Sequence, residues 1–133
     1  GEPQRYGAEL FTMIVGALFI AFNVAPTEEM ALISYLMTPW HGIAIVLLSL
    51  AILHVFVYEV DFRGEHQRPQ DMSFWTLFLR FTITGYALVL LVCWYLLWTF
   101  GRIDDTSISA ALMMTIVLGF PGALGAAAAR LIL

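Results

Sequence analysis

Lysine is absent from this chain of 133 residues, and six arginines are its only permanent cations against ten acids. A net charge of −4 with so few basic groups leaves no cationic face for a phosphate backbone, which excludes nucleic acid as a partner. Cysteine is nearly absent too. Cys93 stands alone in an apolar run, so there is no intrachain disulfide and no cysteine-based metal spacing. Charged residues of both signs make up 12% of the chain, where a soluble domain has about 25%. A P-loop, a GxGxxG stretch and low-complexity tracts are also missing. No basic stretch precedes a short apolar core at the start, so no cleavable signal is expected.

What is present is apolar: 61% of the residues are hydrophobic and the mean hydropathy is +0.86. A water-soluble fold of this size has no interior large enough for that much apolar surface. Its solvent is lipid. A hydrocarbon layer of about 30 Å needs about 20 apolar residues of helix. Segments at about 7–23, 39–60, 73–100 and 106–132 qualify, and no alternating strand pattern competes with them. Backbone groups in lipid must pair within their own segment, so these are helices. The expected fold is all-α: one polytopic membrane domain over 1–133, with four transmembrane helices and a short interfacial or re-entrant helix at about 26–37. Thr38-Pro39 is a cap followed by a first-turn proline, and Asp104-Asp105-Thr106 is a capping cluster ahead of the fourth span.

The arginines set the orientation. Arg5, Arg63, Arg68, Arg80 and Arg130 fall on one side of a four-span topology, and only Arg102 falls on the other. The excess places both termini and the Asp61–Asp71 loop in the cytoplasm, as a multi-pass protein of the bacterial inner membrane. Aromatic belts agree, with Tyr6, Tyr58 and Trp75 at the inner interface and Trp40 and Trp98 at the outer one. The loop's mixed charges read as a solvated hairpin.

Two polar layers interrupt the apolar background. The outer one gathers Asn23, Glu28, Glu29 and His41 near one depth. Pro26 fits the first position of the short helix, where acidic residues face the positive end of the helix dipole. On that reading the glutamates only start a helix. The other reading makes the four a site that binds a cation or passes protons, with one glutamate turned inward. The metal, if any, is unknown. The inner layer comprises Glu9, His54, Glu59, Arg80 and Arg130. A membrane arginine pairs or snorkels, so Arg80 is expected to pair with Glu59 or Glu9. His54 on an apolar helix is the one residue that a haem or chlorin metal could use, but no second motif supports it and no cofactor is expected. Glu28-Glu29 beside helical histidines resembles the prenyl-protein protease-like membrane enzymes, which use two glutamates and histidines around a metal-activated water. That family has arginine where this chain has Ile33, and no histidine follows His66, so the catalytic set is incomplete and no enzyme is expected.

Near the C-terminus, Gly119, Gly122, Ala126 and Ala129 lie at helical spacing, widened by Gly125. Such a ridge lets another backbone approach closely, either the first helix (Gly16, Ala17, Ala21) or another chain. Pro121 cannot donate to the Val117 carbonyl and is expected to kink the helix.

The strings "NVAPTEEM", "TPWH", "LRFTITGYA", "LWTFGR" and "GAAAARLIL", in this order, resemble a family of bacterial integral membrane proteins known only as a domain of unknown function. Its members usually carry further spans upstream, so the resemblance implies that this chain corresponds to the family's C-terminal portion. It also implies a polytopic helical membrane protein and supplies no activity. The functional expectation is an accessory or self-associating membrane subunit, in a homo-oligomer or larger membrane complex. A small-ion or proton transport element is the alternative.

Overall fold

Every long apolar run becomes a helix in the computed structural model, which describes residues 2–62 and 74–132, and the side chains of 6–56, 75–76 and 79–132. Helix α1 spans Glu2–Val24, α2 Glu28–Leu36 and α3 Pro39–Phe62. The third span is composite: a short α4 (Phe74–Leu77), a π-helical turn (Phe78–Ile83) and α5 (Thr84–Thr99). Helix α6 covers Ile108–Ile132. Four of these runs are long and apolar enough to cross a membrane, at Tyr6–Val24, Pro39–Phe56, Leu79–Thr99 and Ile108–Ile132. No strand occurs among the described residues.

Local chemistry fixes the helix ends, with two shifts from the sequence reading. Pro26 does not open α2. Thr27 caps it, its hydroxyl accepting from the Met30 N–H at 3.4 Å, and the proline stands just ahead of the cap. Helix α6 is capped by Ser107 rather than by Asp104, Asp105 or Thr106: the Ser107 Oγ accepts from the Ala110 N–H at 3.1 Å. Thr38 does cap α3, and it does so reciprocally. Its hydroxyl accepts from the His41 N–H (3.4 Å) while His41 Nδ1 accepts from the Thr38 N–H (3.1 Å). That is a capping box with histidine in the usual place of glutamate. It requires the neutral ring with its proton on Nε2. Helix α5 ends in a Schellman turn, with Arg102 N–H bonded to the Leu97 carbonyl, Gly101 N–H to that of Trp98, and Gly101 at φ +71°.

Helix α6 is the axis of the bundle. Eleven of its 25 residues are buried, against three in the α1 span, and it packs on α1, α2, α3 and α5. The small-residue ridge explains how. A Cβ on Gly125 would collide with the Gly16 carbonyl oxygen and one on Gly16 with that of Gly125, so α1 and α6 cross with backbones in contact. Ala129 lies on the same crossing, 2.6 Å from where a Gly16 Cβ would stand. Gly119 and Gly122 serve a different neighbour: added Cβ atoms would meet Leu90 at 2.8 Å and Val89 at 2.9 Å, both on α5. Ala126 is fully buried between these contacts. The ridge is therefore spent inside the chain.

This crossing also sets the depth of α1. Eight residues separate Gly16 from Val24 and Gly125 from Val117, so antiparallel packing puts Val24 level with Val117. Helix α6 continues nine residues further, to Ile108, which is about 13 Å at 1.5 Å per residue. The short α2 packs on α6 in the space left above α1. It buries Met30 and Ser34 and exposes Leu32, Ile33, Tyr35 and Leu36. An apolar outer face suits a helix lying in lipid rather than in water.

Candidate functional site

The polar interior begins where α1 starts and α6 ends. Arg130, with 2% of its side chain exposed, pairs with Glu9 at 3.5 Å. Its guanidinium carbon also stands 5.0 Å from the Phe81 ring centre. Phe81 meets Tyr6 edge to face at 5.2 Å, and Arg80 lies 4.7 Å over the Tyr6 ring. Two arginines thus flank one aromatic pair, Arg130 against Phe81 and Arg80 against Tyr6 with Phe81 at 5.9 Å, an arrangement worth about 0.5–2 kcal/mol per contact. The Tyr6 hydroxyl donates to the Arg80 carbonyl at 2.8 Å. Glu9 is therefore a partner of Arg130, and Arg80 shares its stacking with Tyr6. Glu59 lies outside the described side chains.

The π-helical turn delivers these groups. It adds a residue to the turn and so rotates the register of everything after it. Phe81 and Thr82 face inward, at 6% and 0% exposure, while Arg80 stays at the margin. Thr82 Oγ1 meets His54 Nδ1 at 2.7 Å in the buried interior. This contact uses the side of the His54 ring that a metal ligand would need free or backed by a second-shell partner.

One turn further into the bundle lie two more buried hydroxyls, Ser49 on α3 and Tyr86 on α5. They are neighbours in the buried interior, with Ser49 within hydrogen-bonding reach of the Tyr86 hydroxyl. Thr115, also buried, donates back to the Ala111 carbonyl. From Glu9–Arg130 through His54–Thr82 to Ser49 and Tyr86, polar side chains climb the inside of the bundle from the terminal end toward its middle. The sequence reading lacked the roles of Tyr6, Phe81 and Tyr86. Tyr6 was findable, because it precedes Glu9 by three residues and so shares its helix face.

The opposite end treats its polar groups differently. Asn23 donates to the Phe19 carbonyl of its own helix at 2.7 Å. His41 is held in the α3 cap. Glu28, with 88% of its side chain exposed, pairs with Arg102 at 3.6 Å, and Arg102 also donates to the Pro26 carbonyl. Glu29 is exposed, so neither glutamate is buried. Among the described residues, no three of His, Cys, Asp and Glu come together in a way that could hold a metal ion. His66 lies outside the described residues.

No curated protein and no solved structure matches the chain. A family model does, and it runs over residues 1–133, so the match takes in the whole chain rather than a C-terminal portion alone. With three membrane-length helices packed round a fourth among the described residues, the protein belongs to the family described as "Putative integral membrane protein (DUF2391)".

Proposed function

We propose that this integral membrane protein handles protons without catalysing a reaction, and that the buried polar series from Glu9–Arg130 to Ser49–Tyr86 is where it does so. The observation that carries this reading is the inward-facing set on four different helical segments: Arg130, His54, Thr82, Ser49 and Tyr86 are all at most 7% exposed. Ionisable groups kept inside a membrane bundle are costly, and proton relays are among the uses such groups mark. His54 brings an imidazole, a side chain able to donate and accept, beside the Thr82 hydroxyl at 2.7 Å. The sorting of arginines favours a cytoplasmic position for this end in a bacterial inner membrane. The test uses purified full-length chain in vesicles loaded with a pH-sensitive dye. An imposed pH gradient is expected to decay faster than in protein-free vesicles, and His54→Ala is expected to slow that decay. Decay no faster than in empty vesicles defeats the reading.

A second reading, an accessory or self-associating subunit, is supported by an apolar groove of about 650 Å³ between the starts of α3 and α6, lined by Ile43, Leu47, Leu112 and Met113. Self-association would have to use such a surface, because the glycine-alanine ridge is occupied internally. Size in detergent decides it: a monomer at all concentrations, with no co-purifying chain, removes this reading.

A further inference from the structure

A second groove opens where α1 stops short. It holds about 410 Å³ and is walled by Ile33 of α2, Leu48 of α3, and Val117, Phe120 and Pro121 of α6, with Glu29 at its edge. That volume lies within the range of about 300–1,000 Å³ typical of small-molecule sites. Two features give the apolar groove a chemical preference. The first is charge. Glu28 already has Arg102 beside it at 3.6 Å, whereas among the described residues no cation pairs with Glu29. The second is a backbone acceptor. Pro121 has no N–H for the Val117 carbonyl, and both residues line the same wall. A helix carbonyl points along the axis toward the residue four places on, so the Val117 oxygen faces Pro121, which lines the groove with it. An acceptor without a donor in apolar surroundings costs about 1–3 kcal/mol, which a ligand's N–H recovers.

We infer that this groove binds a small lipophilic amine: an apolar body against Ile33, Leu48 and Phe120, and a protonated nitrogen at Glu29 that donates to the Val117 carbonyl. Charge separates this occupant from an anionic phospholipid. A phosphate would be brought beside Glu28, Glu29, Asp104 and Asp105, with Arg102 the only arginine in these segments and already engaged by Glu28 and Pro26. The inference does not depend on the proton-handling reading, since the groove shares no residue with the polar series.

The experiment measures equilibrium binding of fluorescent 1-naphthylmethylamine to the purified full chain in detergent, with 1-naphthalenemethanol as the neutral analogue. The amine is expected to bind the wild type, and Glu29→Gln to weaken it about tenfold or more, the loss expected for a hydrogen-bonded charge. Glu28→Gln leaves binding unchanged. Leu48→Trp fills the groove and abolishes binding, with helicity by circular dichroism confirming the fold. Because Glu29 is exposed, its substitution leaves folding intact even if the tryptophan variant fails. The alcohol binding as tightly as the amine, or Glu29→Gln binding normally, overturns the proposal. A wild type that retains a phospholipid by native mass spectrometry and takes up no amine overturns it as well.

Discussion

The two ends of this bundle carry similar polar residues and use them in opposite ways. At the α2 end, Asn23, Thr27, Thr38 and His41 bond to backbone within four residues of themselves. At the terminal end, Tyr6 reaches Arg80 across 74 positions and His54 reaches Thr82 across 28, while Glu9 on α1 meets Arg130 on α6. Polar groups of the first kind terminate helices. Those of the second kind hold different helices in one arrangement and place charge inside it. Capping chemistry is a local necessity wherever a helix begins, so it says little about function. A charge drawn into the interior has no such local excuse, which makes the terminal end the better place to look for activity.

Removing the Glu9 carboxylate should do the most damage. Glu9→Ala leaves a guanidinium of 2% side-chain exposure without that partner, and a loss of about 3 kcal/mol is expected in detergent unfolding. A loss under about 1 kcal/mol would mean the terminal end is as tolerant as a surface pair. Next is Thr82→Val, which keeps the volume but removes the hydroxyl from a buried His54, at about 1–3 kcal/mol. A neutral result there would break the link between the π-helical turn and the polar interior.

The α2 end should respond less. Thr38→Ala removes half of the α3 capping box and should cost about 1 kcal/mol. His41→Gln, which can still accept from the Thr38 N–H, is expected to keep most of that stability, whereas His41→Ala is not. Equal losses from glutamine and alanine would show that His41 acts through something other than the cap. Smallest of all is Glu28→Gln. Its pair with Arg102 is largely exposed, and the change should stay within about 0.5 kcal/mol.

This contrast was only partly legible in the sequence. Span lengths and the Thr38-Pro39 start could be read because they depend on composition and on neighbours a few residues away. The same reasoning misplaced two helix starts: Pro26 falls just ahead of the Thr27 cap rather than inside α2, and of Asp104, Asp105, Thr106 and Ser107 in a row only geometry selects Ser107. The π-helical turn left no trace, because an extra residue in a turn changes the facing direction and not the hydropathy of Phe78–Ile83. The ridge on α6 was visible as small residues, with Gly16 of the first helix as one candidate for it, but neither the choice between that helix and another chain nor the α5 contact was. From Gly119 through Gly125 the ridge turns by about 120° at 3.6 residues per turn, wide enough to serve α5 with one edge and α1 with the other. Depth alone also grouped the four outer residues, whereas Asn23 and His41 bond locally, Glu28 pairs with Arg102 and Glu29 is exposed.

Two double-mutant cycles read on the same unfolding assay test the central claim most directly: Glu9 with Arg130, and Glu28 with Arg102. Each cycle isolates the coupling between partners from the cost of losing either one. The account predicts a coupling well above about 1 kcal/mol for the buried pair and close to zero for the exposed one. Equal couplings, or a larger one between Glu28 and Arg102, would contradict it.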